Sequence, residues 1–232
     1  MKTGTQKLLL FDVDGTLITS AGAGETAVQM AVQERFGIYS DLAHIEFAGA
    51  TDSQIAREIL EAFQLPITPE NITALLDTYL KILPSILPQR KGYVLPGIRP
   101  LLERLKKQKN LTLALLTGNI KKGAEIKLGH FGVWEFFEFG AFADDHHDRN
   151  QLGHFAKARA QDHVGIEFSP EHIFVIGDTP KDIACGRAIG AKTVVFATGR
   201  YSVEALKPFE PDYLFENCND LERVIETLGW GS

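Results

Sequence analysis

Leu8-Leu9-Leu10-Phe11-Asp12-Val13-Asp14-Gly15-Thr16 is the stretch on which the fold turns. Its apolar run predicts a strand buried on both faces. The run ends in two carboxylates one residue apart, which strand alternation would place on one side. Gly15 permits the sharp turn by which the chain leaves the sheet. Acids at the end of a buried strand are costly unless a cation or hydrogen bonds hold them. Two readings therefore stand at this point: a polar Asp-Gly turn closing a strand, or a functional carboxylate pair.

The chain has 232 residues, 44% hydrophobic and 23% charged, enough for a sizeable core in one domain or two. A formal net charge of -6 argues against a general nucleic-acid or membrane-surface binder, which would carry basic patches. Cys185 and Cys218 are too few for a disulfide scaffold and lack metal-ligand spacing, so they read as reduced thiols of a cytoplasmic protein. Met1 to Lys7 is polar with no apolar signal core, and no apolar run approaches the ~20 residues of a membrane helix.

Downstream of Thr16 the pattern turns helical. Ser20 to Gly24 is small and flexible, and Glu25 to Phe36 predicts a helix stopped by Gly37. Thr51-Asp52-Ser53-Gln54 resembles a capping box opening a helix through about Phe63. Thr68-Pro69 starts another, which Pro84 and Pro88 end or kink. From about Leu95 strands and helices alternate: helix Ile98 to Gln108, strand Leu111 to Leu116, helix Glu125 to Phe131, strand Phe137 to Phe142 and a helix around His154 to His163. Strand Ile173 to Ile176, helix Ile183 to Ile189, strands Thr193 to Phe196 and Tyr213 to Phe215, and helix Leu221 to Leu228 follow. Short strands without alternation, interleaved with helices, predict an α/β fold: a Rossmann-like, doubly wound parallel sheet. Residues 1–19 and 91–232 form this core, and residues 20–90 form an inserted α-helical cap. Inserted just after the first strand, the cap would cover the C-terminal edge of the sheet, where open α/β sheets bind ligands.

Three strand ends converge on that edge. They bring Asp12 and Asp14; Thr117 with Gly118 and Asn119; and Asp178 with Asp182 four residues on. The Thr117 hydroxyl and free N–H groups at the following helix start suit a phosphate, and Thr117 also reads as that helix's N-cap. Clustered acids repel one another and a phosphate. A Mg²⁺ ion resolves both conflicts, and Arg149, or less readily Lys181, can neutralise a phosphoryl group.

Phe-Asp-Val-Asp-Gly-Thr at 11–16, Leu-Leu-Thr-Gly-Asn at 115–119 and Gly-Asp-Thr-Pro-Lys-Asp at 177–182 resemble, in order, the motifs of the haloacid dehalogenase superfamily. The resemblance spans the chain and is nearest to phosphoglycolate-phosphatase-like hydrolases. It implies that Asp12 is a nucleophile forming an aspartyl-phosphate and that Asp14 is the general acid/base. It implies that Asp12, the backbone carbonyl of Asp14, and Asp178 hold Mg²⁺, with Asp182 orienting the metal shell or binding through water. Thr117, Gly118 and Asn119, together with Gly15 and Thr16, would hold the phosphoryl group. Many relatives carry a Lys between the last two motifs; here the region reads Asp148-Arg149-Asn150-Gln151, and the role falls to Arg149, with Lys157 as the alternative.

The implied function is a Mg²⁺-dependent phosphatase of a small phosphorylated metabolite, acting as a monomer or homodimer. A sugar-phosphate phosphomutase and a non-catalytic phosphate-binding module are the alternatives. A dehalogenase ranks low because Asp14 is present. His146-His147 reads as a solvated loop, and Cys185 as core packing. The substrate-facing side of the cap is expected at Ser20 to Gly24 and Phe47 to Thr51, with Arg57 or a core residue to reach the carboxylate of a substrate such as phosphoglycolate.

Overall fold

A computed structural model describes residues 6–229; residues 1–5, on which part of the N-terminal reading rests, lie outside the described residues. The strands are β1 (Lys7–Phe11), β2 (Ile18–Thr19), β3 (Tyr93–Val94), β4 (Leu111–Leu116), β5 (Gly140–Ala141), β6 (Ile173–Gly177), β7 (Lys192–Phe196) and β8 (Tyr213–Phe215). The helices are α1 (Ala23–Phe36), α2 (Asp52–Ala62), α3 (Pro69–Ile86), α4 (Ile98–Leu105), α5 (Lys121–His130), α6 (Arg149–Val164), α7 (Pro180–Ala188), α8 (Val203–Leu206) and α9 (Leu221–Thr227).

Six strands pair in parallel in the order β5-β4-β1-β6-β7-β8, the doubly wound α/β architecture predicted. Leu8 and Leu10 of β1 join one apolar cluster with side chains of α6 and α7; Leu9 and Phe11 join another with side chains of α4, α5 and α9. All four are fully buried, which is why the strand shows no polar alternation. Each such side chain contributes roughly 1.5–3 kcal/mol of burial energy.

β1 lies between β4 and β6, with Phe11 opposite Leu115 on one side and Ile176 on the other. The chain winds outward from β1 through β4 to β5, then returns to β6 on the other flank. That reversal makes the C-terminal ends of β1, β4 and β6 the topological switch point, the crevice where such sheets bind ligands.

Between β2 and β3, which form a separate antiparallel ribbon, α1, α2 and α3 pack on one another around Ala27, Ala31, Ile55, Ile59, Leu75, Tyr79 and Leu83. The first turn of α2 is tied to the sheet's edge. Thr51 Oγ1 donates to His147 O (2.5 Å), Ser53 Oγ to Ala143 O (2.8 Å), and Asp52 N to Gly118 O (2.7 Å).

Several expectations need correction. The strand expected at Phe137 to Phe142 forms only at Gly140 and Ala141: Phe137 closes a 3-10 turn by donating to Trp134 O (3.1 Å), and Phe142 N donates to Asp145 Oδ2 (2.9 Å). The helix expected from about His154 begins at Arg149, since Asp148 caps it by accepting from Asn150 N (2.9 Å). α5 likewise starts earlier than Glu125, and α4 stops at Leu105. Pro84 does not end α3, which runs two residues further to Ile86. Only half of the capping box at Thr51 forms, as Gln54 Nε2 donates to Glu58 Oε1 instead (2.9 Å). A complete box forms at Thr179 and Asp182.

Candidate active site

The three expected strand ends converge on one cavity of about 410 Å³ at the switch point. Asp12, Asp14, Gly15, Gly118, Asn119, Arg149 and Asp178 line it, whereas Thr16, Thr117 and Asp182 are buried behind that lining.

Gly15 sits at φ +82°, and a Cβ there would overlap the Asp178 carboxylate. The turn after β1 therefore needs glycine for its backbone and for its contact with the end of β6. Thr16 Oγ1 donates to Asp178 Oδ1 (2.9 Å), fixing that carboxylate from below. Gly118 is pressed from the other side, where a Cβ would overlap the carbonyl of Ala50 in the loop before α2.

Asp12, Asp178 and Asp182 place carboxylate oxygens within 4.8 Å of one another, all three buried. Burial raises the Asp178 carboxyl well above its ordinary range, and the charges of Asp182 and Asp12 push it further. Burial also pushes Asp12 up to about 6, against the pull of Arg149. One guanidinium faces this cluster: Arg149 Nη2 lies 3.0 Å from Asp12 Oδ1 and donates to Asp182 Oδ1. Asp182 Oδ2 accepts from the backbone N–H groups of Asp178 (3.2 Å) and Thr179 (3.0 Å) and from the Thr179 hydroxyl (2.7 Å). With both oxygens engaged, Asp182 orients its neighbours rather than facing the cavity. The excess of buried, hard oxygen donors over cations fits a divalent cation held by Asp12 and Asp178. Arg149 Nε is buried with no hydrogen-bond partner among the described residues.

Asp14 lies in a different network. Burial raises its carboxyl, but Lys127 and hydrogen bonds from Lys127, Asn119 and Ser20 together hold it below the ordinary carboxylate range. The sequence reading missed Lys127. It shares the buried face of α5 with Gly123, Ala124 and Leu128, and a lysine on an apolar stripe was the signal to notice.

Thr117 does not cap α5 as expected. The helix starts at Lys121 with Ile120 as N-cap, and the Thr117 hydroxyl accepts from Asn119 N (3.3 Å) and Asn119 Nδ2 (2.9 Å). The N–H groups at the start of α5 are met by carboxylates from elsewhere: Asp52 accepts from Ile120 N (2.8 Å) and Asp144 from Lys121 N (2.5 Å).

The cover of the cavity includes Ser20, Ala21, Gly22, Gly24 and Phe47 through Ala50, in keeping with the expected inner surface. Arg57 is exposed and does not line the cavity, because its place on α2 turns it outward; Lys157 and Lys181 do not line it either. The cation at the mouth is Arg200, which pairs with Glu46 (3.2 Å) and Glu25 (3.5 Å). The His146 and His147 rings stack on each other, and His146 Nδ1 accepts from Asp148 N (2.9 Å). Among the described residues no helix is long and apolar enough to cross a membrane.

Known proteins resemble this chain along almost its whole length. A probable phosphatase, IndB, of Dickeya dadantii is 24% identical over 225 residues, covering 95% of this chain and 94% of its own. A phosphoglycolate phosphatase of Vibrio vulnificus is 24% identical over 224 residues, covering 94% of this chain and 96% of its own. The crystal structure of a hydrolase from Pseudomonas syringae superposes with a TM-score of 0.74 at 22% identity, covering 98% of this chain and all of that one. The family model for haloacid dehalogenase-like hydrolases matches residues 9–196, from within β1 to the end of β7 and including every residue of the carboxylate cluster, and the chain belongs to that family.

Proposed function

We propose that the protein is a Mg²⁺-dependent phosphatase that hydrolyses small phosphomonoesters through an aspartyl-phosphate on Asp12. The observation that carries this reading is the buried Asp12 carboxylate, set at the switch point with Arg149 beside it and Asp14 on the same cavity wall. Residues 20–90 act as a cap over a core of residues 1–19 and 91–232. The cavity volume suits a small metabolite held by a few polar groups. The phosphatase names of the full-length relatives support the same substrate class.

Asp12 Oδ attacks phosphorus as the P–O bond to the leaving alcohol breaks. Asp14 gives its proton to that oxygen, then takes one from the water that attacks the acyl phosphate. Inorganic phosphate leaves, and both carboxyl groups return to their starting forms. The negative charge of the incoming phosphate opposes the pull of Lys127 and favours protonated Asp14 for the first half of the cycle. Arg149 and the Gly118 N–H bind the phosphoryl oxygens, with the Thr117 hydroxyl, which accepts from Asn119 N, fixing that turn. Mg²⁺ held by Asp12, the Asp14 carbonyl and Asp178 supplies charge neutralisation at the phosphoryl group when bound.

The test is phosphate release from a panel of phosphoglycolate, sugar phosphates, nucleoside monophosphates and an aryl phosphate with Mg²⁺, beside Asp12→Asn. Release that is lost in the variant supports the reading. Conversion of a hexose 1-phosphate without phosphate release would replace it with a mutase, and binding without turnover would replace it with a phosphate-binding module.

A further inference from the structure

Lys127 carries a charge into the interior to which the cycle above gives no role beyond its pull on Asp14. Its side chain is only 6% exposed, yet it stands in the middle of the site. Nζ donates to Asp14 Oδ2 (2.6 Å) and to Asn119 Oδ1 (2.7 Å). Asn119 Nδ2 donates to the same Asp14 Oδ2 (2.9 Å), so three side chains from three segments close one hydrogen-bonded ring. Asp14 Oδ2 is thereby held twice. Asp14 Oδ1 has only a long contact from Ser20 Oγ (3.4 Å) among the described residues.

The ammonium also meets the helices that cover the site. A Cβ at Gly24, in the first turn of α1, would stand 3.3 Å from Nζ, so glycine leaves the space that the lysine head occupies. Tyr79 of α3 lies near enough to interact with the same ammonium. A lone buried ammonium costs several kcal/mol, and this one is met by the oxygens of Asp14 and Asn119. The arrangement is more specific than charge balance alone requires. A counter-ion needs only proximity, whereas this ring selects one carboxylate oxygen and leaves the other for chemistry.

We propose that Lys127 is a positioning residue for Asp14. With Asn119 it clamps Oδ2 and so presents Oδ1 as the oxygen that passes a proton to the leaving alcohol and later takes one from water. The proposal rests on the phosphatase reading. It adds a residue outside the three motifs, and it makes the aim of Asp14 depend on packing between α5 and the covering helices.

The experiment uses the full chain with Mg²⁺ and compares wild type, Lys127→Met, Lys127→Arg, Asp14→Asn and the Asp14→Asn/Lys127→Met double variant. Single-turnover rates are measured with p-nitrophenyl phosphate, whose leaving group departs without a proton, and with an alkyl phosphate that wild type turns over. In Lys127→Met, alcohol release from the alkyl phosphate falls ~100-fold at nearly unchanged KM, while the nitrophenolate burst keeps its rate to within about threefold. Lys127→Arg recovers part of the loss, and the double variant is no slower than Asp14→Asn alone. Should Lys127→Met fail to fold, Gly24→Ala keeps the charge, crowds Nζ and gives the same split at smaller size. Equal slowing of both substrates, or losses that multiply in the double variant, would overturn the positioning role and leave the phosphatase reading intact. A wild-type chain that releases no phosphate from any ester would overturn both.

Discussion

Arg149 Nη2 stands 3.0 Å from Asp12 Oδ1, with both side chains buried, and the same nitrogen donates to Asp182. One guanidinium thus joins the proposed nucleophile to the capping box at the start of α7. Removing it with Arg149→Ala leaves buried carboxylates uncompensated, and the expected loss of stability is about 3–5 kcal/mol by urea unfolding without metal. Arg149→Lys keeps the charge but lacks the planar fork that reaches both carboxylates. Its expected signature is a fold that survives with kcat reduced by about 10²–10³ on the best phosphoester of the panel.

Asp178 lies close to two other buried carboxylates, and burial together with their charges disfavours its ionisation. A divalent cation relieves that repulsion only in the folded chain, so Mg²⁺ should raise Tm as well as support turnover. At a hundred times its Kd the expected stabilisation is about 2.7 kcal/mol. Asp178→Asn should melt higher than wild type in chelator, because a repelling charge is gone, and should lose the Mg²⁺-dependent shift. Melting curves with and without Mg²⁺ check this without any assay of activity, and an undiminished shift in the variant would remove Asp178 from the metal set.

Gly15 carries the turn from β1 into the site at φ +82°, against the Asp178 carboxylate. Gly15→Ala pays the left-handed backbone cost of roughly 1–2 kcal/mol and also displaces Asp178. Gly22→Ala is the control, since Gly22 has a similar φ of +78° and nothing within 4 Å of a Cβ. Both variants should lose stability by urea unfolding, but only Gly15→Ala should lose most of its kcat. Equal activities would separate the turn from the site.

Those features that depend on local chemistry were legible in the sequence. β1 was readable because an unbroken apolar run admits few other fates, and Tyr213 to Phe215 matches β8 residue for residue. The convergence of Asp12, Gly118 and Asp178 followed from strand order at a switch point. Contacts between distant segments were less readable. Thr117 looked like a cap because the caps of α5 come from Asp52 and Asp144, far away in sequence. Arg57 looked available because its exposure depends on how α2 docks, and Arg200 was overlooked because the turn after β7 shows no motif of its own. Lys127 was hidden by its type: lysine reads as surface until the helix period places it on the buried face.

Asp52 reports on the junction between α2 and the start of α5. It opens α2, accepts from Ile120 N at 2.8 Å and lines the cavity. Burial pushes its carboxyl from 3.8 up to about 6, with Lys127 and the Ile120 hydrogen bond acting against that rise. A folded pKa above the unfolded one means that the native state holds the proton more tightly. This contribution to stability is therefore full below about pH 4, falls as pH rises through about 6, and costs at most about 3 kcal/mol above that. Asp52→Asn keeps an acceptor for Ile120 N and cannot ionise. Relative to wild type it should gain little at pH 4 and gain stability progressively up to about pH 6.5, with a plateau beyond. Urea unfolding of both proteins across pH 4–8 checks the sign, because subtracting the curves cancels the titration of Asp12 and Asp178 common to both. A stability advantage that shrinks as pH rises would mean that Asp52 is held as a carboxylate by Ile120 and Lys127. In that case the junction would be an anchoring ion contact rather than a buried charge that the fold tolerates.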